Sequence, residues 1–444
     1  MFRRKWSGLP ADPQFPSDLK ELGYFVNEDD EIRAIDNPDN YFKFFLSRNP
    51  RWNDRQRFAM NQATQNIIWE RLENLGLKKE LLPLGTTDLS KPHAPIFVSK
   101  DIASKTRVVI IFGETVQDLG AVAHRVIGGR GGVNKGSMVS IVSELLKQRS
   151  SPSDPSPPGI ILANMGELIW WPGGNRTLSR SAFDATPMKS AVQNGNLFTK
   201  QNEVPGNETF RRHVNYIFEE VIPHFVNDRA GIDVIGVGDS ADTVEQYLDL
   251  VPVWETWKKR INCLALVGGL YPIWDLKNEE FGNQFLRKKA RAYATSLEPA
   301  GMVLSGPDGN PKTTTFTQIG CPVFSSGEPY YTELTLIMGR DIVLDWLQEV
   351  AMTPEGQEYA NPEFEVVYAD PMVETDDQHD WSHWQDDETA GEKDVSEEVK
   401  IKNATEETGS SNVGGEEPRL VVVVEAEKAE DDDGKVKGGE KGEK

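Results

Sequence analysis

The chain has little cysteine and no long apolar stretch. Its 444 residues contain two cysteines, Cys263 and Cys321, which are too few for a disulfide framework and favour a reducing compartment. No segment approaches the ~18 consecutive apolar residues of a membrane span. The N-terminus MFRRKWSGLP has basic residues without the apolar run of a secretory signal. These absences predict a soluble intracellular protein of the nucleus or cytoplasm that does not bind membranes.

Motifs for metals and cofactors are also missing. No cysteine, histidine or carboxylate residues have the spacing of a metal site. Residues 236–241 (GVGDSA) match the glycine spacing of a dinucleotide fingerprint, but the next predicted strand does not end in the acid that such a site needs. Residues 128–137 (GGRGGVNKGS) have Lys-Gly-Ser where a phosphate loop needs Gly-Lys-Ser. The glycines could form an anion nest with Arg130, but we expect a mobile loop there, and no cofactor.

Basic residues are in the minority, and the excess of acid is unevenly placed. Residues 371–444 hold 23 Asp and Glu against 9 Lys and Arg, a net charge of −14, which leaves −8 of the total −22 for the rest of the chain. The net negative charge of residues 1–370 does not favour contacts with the phosphates of nucleic acid. We therefore expect no direct binding of nucleic acid. The acidic tail predicts basic protein partners, such as histones or basic RNA-binding proteins, or a solubilising role.

From about residue 81, apolar β-branched runs alternate with helical patterns. Buried strands are predicted at 107–112 (RVVIIF), 159–164 (GIILAN), 232–238, 263–267 and 316–324. Helices are predicted at 54–75, 138–146, 210–226, 241–250, 279–295 and 333–350. This alternation predicts a three-layer α/β domain with a mostly parallel sheet and a ligand edge at the carboxyl ends of its strands. We expect an N-terminal helical cap (1–80), the α/β domain (81–352), and an extension with a disordered acidic tail (353–444).

Residues 231–250 (GIDVIGVGDSADTVEQYLDL) are the most informative stretch. Only Asp239 and Ser240 separate the predicted strand from the predicted helix, so a side chain should be pushed out at a sharp turn. A nucleophile elbow requires such a turn, because it exposes the serine Oγ at the sheet edge beside a helix N-terminus. The candidate site is therefore Ser240 with its neighbours Gly238, Asp239, Ala241 and Asp242. The carboxylates Asp239 and Asp242 disfavour an oxyanion beside them.

A serine hydrolase also needs a base, which follows the last strand in this kind of fold. No histidine lies between Ser240 and the end of the expected folded region, so an earlier one, such as His93 or His124, would have to serve. The sequence Gly-Asp-Ser at 238–240, with Asp376-x-x-His379 or Asp380-x-x-His383, also resembles the GDS(L) esterases. The serine of that family lies early in the chain, on the first strand, which disfavours this alternative.

The acidic tail contains two short apolar islands. Trp381 and Trp384 resemble Argonaute-hook peptides, in which an exposed tryptophan inserts into a pocket of Argonaute; these two are close enough that at most one would dock. Val421, Val422, Val423 and Val424, followed by a run of acids, resemble a SUMO-interacting motif, which adds a strand to the sheet edge of SUMO. Both islands are candidate docking sites, and the alternative is that they are incidental or fold back on the domain.

Three blocks together carry a family resemblance over about residues 1–350. They are LPADPQFPSDLKELGYFVNEDDEIRAIDNP near the N-terminus, RVVIIFGETVQDLG with its RVIGG continuation, and GVGDSAD at the elbow. The chain resembles the fungal Argonaute-binding protein two domain family. Relatives include a subunit of the fission-yeast Argonaute small-RNA chaperone complex, the C-terminal domain of fungal class II histone deacetylases and an animal co-transcriptional regulator.

The resemblance implies an α/β-hydrolase-like fold used mainly for protein interaction in heterochromatin and small-RNA silencing. Only Ser240 carries over, as the residue in the nucleophile position. Some animal members keep a histidine just before this serine and glycines after it, whereas this chain has Asp239, Ala241 and Asp242. No deacetylase domain is present, so that activity is not implied.

The prediction is therefore a non-catalytic adaptor in small-RNA-mediated or heterochromatic gene silencing. Its expected partners are Argonaute, histones or chromatin-silencing factors, with a SUMO contact through the tail as a further candidate. The alternative is an esterase-like serine hydrolase that uses Ser240 at a degenerate elbow. A histidine within hydrogen-bonding distance of Ser240 would favour the enzyme.

Overall fold

A nine-stranded sheet runs through the part of the chain that the structure describes. The structure is a computed structural model, and it describes residues 8–192, 195–309 and 318–364. All of these lie in one unit, Met1–Glu374. The predicted tail motifs at Trp381, Trp384 and Val421–Val424 lie outside the described residues.

Strands and helices alternate along most of the described chain. The strands, in chain order, are β1 Tyr24–Val26, β2 Ile32–Ala34, β3 Leu77–Leu82, β4 Ala94–Ser99, β5 Arg107–Phe112, β6 Gly159–Ala163, β7 Ile169–Trp171, β8 Arg176–Leu178, β9 Gly231–Val237, β10 Ile261–Val267, β11 Ala290–Ala294, β12 Val303–Ser305 and β13 Val323–Ser325. The α-helices are α1 Pro50–Asn74, α2 His124–Ile127, α3 Gly132–Lys135, α4 Met138–Leu145, α5 Arg180–Asp184, α6 Phe210–Tyr216, α7 Ile222–Phe225, α8 Asp239–Leu248, α9 Val251–Trp257, α10 Arg287–Lys289, α11 Thr335–Met338 and α12 Arg340–Ala351. Two π-helical segments are Ile217–Val221 and Phe281–Leu286, and four 3₁₀ turns are Ile102–Ser104, Lys200–Asn202, Ile273–Asp275 and Thr332–Leu334.

The strand order in the main sheet is β12-β13-β11-β10-β9-β5-β6-β4-β3. The six strands from β13 to β6 run parallel, while β12, at one edge, and the β4–β3 hairpin, at the other, introduce antiparallel pairs. Strands β5 and β9 are neighbours in the middle, with Phe112 opposite Gly236. The residues that follow these two strands therefore meet at one point of the carboxyl edge, where ligand sites form in such sheets.

Two apolar cores, one on each face of the sheet, confirm the three-layer prediction. Alternate residues of β5 enter opposite cores, as expected for a strand buried on both faces. Val108, Ile110 and Phe112 pack with helices α6 to α9. Val109 and Ile111 pack with α1, α4 and α12 on the other face. The sequence-predicted α/β-hydrolase-like fold is thus the fold of this domain.

A buried ion pair fixes the register of β5 against β9. Arg107 and Asp233 are both buried, and the Arg107 Nε lies 2.6 Å from the Asp233 Oδ2. Asn262 Nδ2 donates to the other oxygen of Asp233 at 2.9 Å, and Arg107 also donates to the Leu347 carbonyl oxygen. The pair is satisfied because hydrogen bonds surround both charges, which a buried ion pair requires. It joins β9, which leads into the predicted elbow, to its neighbour β5.

Three predicted helices differ from the observed elements. The helix predicted at 333–350 is divided into the 3₁₀ turn Thr332–Leu334 and the helices α11 and α12. The predicted helix at 279–295 ends at Lys289, since Ala290–Ala294 forms the parallel strand β11 beside β10. The predicted helix at 210–226 is observed as α6 and α7, joined by the π-helical segment Ile217–Val221. At Ala290–Ala294, whose sequence is ARAYA, pairing in the sheet overrides the weak helical preference of the alanines.

The misplaced boundaries include the start of the first helix and the bounds of the last predicted strand. Helix α1 begins at Pro50 rather than at residue 54, because Asn49 Oδ1 accepts a hydrogen bond from the Arg51 N–H and proline fits the first helical position. The strand predicted at 316–324 is observed at Val323–Ser325. Residues 310–317 lie outside the described part of the chain.

Candidate functional site

The sharp turn between β9 and α8 lies at Gly238. Strand β9 ends at Val237 and α8 begins at Asp239, so one residue makes the connection. Gly238 has φ 57° and ψ −133°, a backbone conformation that L-residues with side chains adopt only under strain. The turn predicted from the sequence, at Asp239 and Ser240, is thus one position too late. In a nucleophile elbow the reactive side chain stands at this strained residue, and here that residue has no side chain.

Gly236 lets the strand and the helix of the elbow approach closely. A Cβ on Gly236 would lie 2.6 Å from the Ala241 Cα, too close for a real contact. The spacing of small residues in a G-x-S-x-G elbow is thus met by Gly236, Gly238 and Ser240. In this register Ser240 occupies the position of the second small residue.

Ser240 is completely buried in the first turn of α8. Its hydroxyl donates a hydrogen bond to the Gly113 carbonyl oxygen, in the loop after β5. The prediction that this Oγ is exposed at the sheet edge is therefore wrong. The observed hydrogen bond instead ties α8 to the β5 loop.

No histidine of the described ranges is hydrogen-bonded to Ser240. His124 contacts Asp118 at 3.0 Å, and His93 contacts the Lys91 carbonyl oxygen at 2.8 Å. The buried His213 contacts Asn207 at 2.6 Å, and burial lowers the pKa of His213 to about 3. These three histidines have partners other than the serine. His379 and His383 lie outside the described residues.

Glu114 fills the space beside the elbow. A Cβ added to Gly238 would overlap the Glu114 Oε2 atom. The Thr115 N–H donates to Glu114 Oε1 at 3.0 Å, and the Asp239 N–H also donates to this carboxylate. Hydrolases of this fold bind the oxyanion with two backbone N–H groups, one from the residue after the nucleophile and one from a loop after another strand. The carboxylate of Glu114 therefore takes the place of an oxyanion.

The environment of the elbow favours neutral carboxyl groups. Burial raises the pKa of Glu114 and the charge of Asp239 adds to the shift, which the two N–H donors oppose. Burial also raises the pKa of Asp242 to about 6, again with a contribution from Asp239. An anionic transition state would meet the same unfavourable field as these carboxylates.

A comparison with known proteins assigns the domain. The family model described as the Arb2 domain matches residues 15–300, about two thirds of the chain. The chain belongs to the Arb2 domain family. This confirms the Argonaute-binding protein two (Arb2) domain predicted from the N-terminal block, the β5 block and the elbow, apart from its restriction to fungi.

The curated relatives of the Arb2 domain are vertebrate proteins. The Xenopus tropicalis Cotranscriptional regulator ARB2A homolog is 30% identical over 138 residues, which cover 30% of this chain and 32% of that protein. The Mus musculus Cotranscriptional regulator ARB2A is 20% identical over 312 residues, which cover 64% of this chain and 72% of that protein. The chain thus spans about a third of the frog protein and most of the mouse protein.

Solved structures with a similar arrangement are hydrolases of low similarity. An IroE-like serine hydrolase from Shewanella oneidensis has 11% sequence identity and a TM-score of 0.30, with 62% of this chain and 80% of that chain covered. Carboxyl esterase 2 from Tuber melanosporum has 9% sequence identity and a TM-score of 0.28, with 62% of this chain and 87% of that chain covered. At these scores, the likeness supports no statement about activity.

The sequence analysis did not predict a second buried polar cluster in the Arb2 domain. Asp118 Oδ2 contacts His124 Nε2 at 3.0 Å and accepts from Asn61 Nδ2 at 3.2 Å, while Glu167 Oε2 accepts from Gln65 Nε2 at 2.7 Å. Burial and the neighbouring Asp118 raise the pKa of Glu167 to about 8. The cluster joins α1 to the loops after β5 and β6, so its evident role is structural. Its members are far apart in sequence, and no motif signals it.

The glycine-rich loop of the Arb2 domain already binds carboxylates of its own chain. Gly131 and Gly132 both have positive φ, at 114° and 82°. The Gly131 N–H donates to Glu31 Oε1 at 3.2 Å, and the Asn134 N–H donates to Asp30 Oδ2 at 2.6 Å. The N–H groups of this loop, which we considered as an anion nest, therefore bind the N-terminal segment of the same chain.

An apolar pocket of about 420 Å³ lies beside the elbow loop. Thr115, which follows Glu114, lines it together with Val116, Leu168, Phe198 and Phe210. Val116 is 70% exposed, so the pocket is open to the surface at the carboxyl edge of the sheet. Its volume is in the range of ordinary ligand sites.

Neither a metal cluster nor a membrane-spanning helix occurs in the described ranges. These residues contain no group of three or more His, Cys, Asp or Glu side chains that could hold a metal ion. None of the described helices is both long enough and apolar enough to span a bilayer.

Proposed function

We propose that this chain is a non-catalytic protein-interaction adaptor that acts in co-transcriptional regulation in the nucleus. Its finer role in this proposal is small-RNA-mediated or heterochromatic gene silencing. The Arb2 domain supports the general role, because the curated relatives are named as cotranscriptional regulators. The silencing role follows from the family resemblance of the sequence.

The observation that carries the non-catalytic proposal is the elbow. The residue at the strained turn, Gly238, has no side chain that could act as a nucleophile. The two N–H groups that would stabilise an oxyanion already bind the carboxylate of Glu114. A hydrolase needs both an activated nucleophile and free oxyanion donors, and neither is available in this arrangement.

The alternative, an esterase-like hydrolase that uses Ser240, gains no support from the geometry. Its hydroxyl is buried and donates to a backbone carbonyl. A nucleophilic serine instead donates to a base and faces the substrate. We therefore assign Ser240 a structural role, in which it anchors the first turn of α8 to the β5 loop.

The partners in this proposal are proteins. Argonaute, histones and other chromatin-silencing factors are the candidates, and no direct nucleic-acid contact is expected. The domain surface provides one place for binding. The tail provides others, with Trp381 or Trp384 for an Argonaute pocket and Val421–Val424 for SUMO.

Affinity purification of the tagged full-length chain from nuclei tests this function. We expect Argonaute or chromatin proteins to be recovered in equal amounts with the wild type and with Ser240→Ala, because Ser240 contacts no partner in the proposal. A variant that lacks residues 371–444 shows whether the tail or the domain holds them. Failure to recover any Argonaute or chromatin protein with the folded wild type would contradict the proposal.

A further inference from the structure

The carboxyl edge beside β10 contains acids that have no cationic partner. Asp242 and Glu245 lie on α8, and Asp249 is its C-cap. The loop that follows β10 runs beside them, because a Cβ on Gly269 would lie 2.9 Å from Asp242 Oδ1 and Asp249 accepts hydrogen bonds from Lys277 and Asn278. Glu245 is fully buried, and neither of its carboxylate oxygens has a hydrogen-bond partner. Asp242 Oδ1 is also buried without a partner. Buried acids of this kind are costly and normally have a partner or a function.

The loop after β10 adds a fourth acid and two aromatic side chains. Asp275 and Trp274 lie in its 3₁₀ turn, and Trp274 is 61% exposed. Burial raises the pKa of Tyr271, and four carboxylates add to the shift: Asp275, Glu245, Asp249 and Asp242. We call Tyr271, Trp274 and these four acids the Tyr271 cluster.

The four acids of the Tyr271 cluster lack cationic partners within the described ranges. No lysine, arginine or histidine there forms an ion pair with any of the four acids. Asp249 accepts hydrogen bonds from the backbone N–H groups of Lys277 and Asn278 instead. By contrast, the buried Asp118 has both His124 and Arg176 nearby.

A cationic side chain fits the chemistry of this edge. An arginine or lysine binds carboxylates through charge-assisted hydrogen bonds and lies favourably over an exposed tryptophan or tyrosine ring. Arginine suits such a site best because its planar guanidinium stacks on aromatic rings. The acids would also be less costly to the folded domain once a cation lies among them.

We propose that the Tyr271 cluster binds an arginine-containing basic segment of a partner protein. This inference rests on the proposed adaptor function and names the chemistry of its partner. Trp274 and Tyr271 contact the cationic group, and Asp242 and Asp275 supply the accessible charge.

Titration of full-length protein with a labelled dodecapeptide of alternating arginine and glycine tests the proposal. The double variant Asp242→Asn with Asp275→Asn should weaken binding at least about ten-fold, and Trp274→Ala should weaken it at least about three-fold. A matched control, Glu28→Gln with Asp29→Asn, removes the same charge from the exposed turn between β1 and β2. It should change the affinity less than two-fold. A peptide with citrulline in place of arginine should bind weakly to every variant.

Two outcomes would overturn the inference. Equal weakening by the double variant and by its charge-matched control would show attraction to net charge alone. Binding that is unaffected by Trp274→Ala and is lost on deletion of residues 371–444 would place the basic peptide on the tail. In either case, nuclear partners that are still recovered with the Asp242 and Asp275 double variant would show that the adaptor function stands although this inference has failed.

Discussion

Replacing Gly238 with alanine is expected to destabilise the domain by about 3 kcal/mol. The new Cβ would force a side chain into a strained backbone conformation at φ 57° and would displace the carboxylate of Glu114. Displacement breaks the hydrogen bonds that Glu114 accepts from Thr115 and Asp239. Urea unfolding of the two proteins, followed by circular dichroism, measures the difference.

A double-mutant cycle separates the backbone strain from the displacement of Glu114. Glu114→Ala alone should change stability by less than about 1 kcal/mol, and it should recover about 1–2 kcal/mol of the loss in Gly238→Ala. Gly76→Ala is the matched control for strain, because Gly76 has φ 93° and nothing within 4 Å of its added Cβ. A Gly238→Ala variant as stable as Gly76→Ala, with no coupling to Glu114, would show that the carboxylate does not fill the elbow.

Replacing Glu245 with glutamine is expected to stabilise the protein at neutral and higher pH. Burial raises the pKa of Glu245 well above its usual value, and the charges of Asp242 and Asp249 add to the shift. The folded state therefore keeps a proton that the unfolded state releases above about pH 4.5. Stability falls as pH rises from the unfolded pKa towards the folded pKa. Glutamine remains neutral in both states, so its advantage should grow from near zero at pH 4.5 to more than about 1.4 kcal/mol at pH 8.

Unfolding by urea across pH 4.5–8 measures this effect. Glu220→Gln, at an exposed position in the π-helical segment, is the matched control and should give a difference that changes little with pH. A Glu245→Gln variant that is less stable by the same amount at every pH would contradict the assignment. That result would mean that the Glu245 carboxylate has a partner in solution.

Local patterns in the sequence were enough to predict the architecture. The strand RVVIIF at 107–112 was found with its observed bounds, because a short β-branched run is typical of a strand buried on both faces. Helix α4 ends one residue before the predicted 146. The start of α1 could also have been found, since Asn49 and Pro50 are a recognised cap and first helical residue. Strand β11 could not, because the sequence ARAYA favours a helix when it is considered alone.

The site was harder to predict because it depends on residues that are distant in sequence. The elbow stretch was identified, but its sharp turn was placed at Asp239 and Ser240 rather than at Gly238. Two overlapping patterns, G-x-G-x-S and G-D-S, share the same residues, and the backbone conformation decides between them. Glu114 comes from a loop more than 120 residues earlier, and only the pairing of β5 with β9 brings it to Gly238. The Tyr271 cluster likewise joins a helix and a loop that no local motif connects.

Labelling of purified full-length protein with a fluorophosphonate probe tests most directly whether the elbow is catalytic. The wild type and Ser240→Ala are treated in parallel, with an active serine esterase as the positive control and circular dichroism to show that both proteins are folded. The absence of an activated serine predicts no labelling of either protein, because Gly238 has no side chain and the Ser240 hydroxyl is buried in a backbone hydrogen bond. Labelling of the wild type that disappears in Ser240→Ala would contradict the non-catalytic assignment.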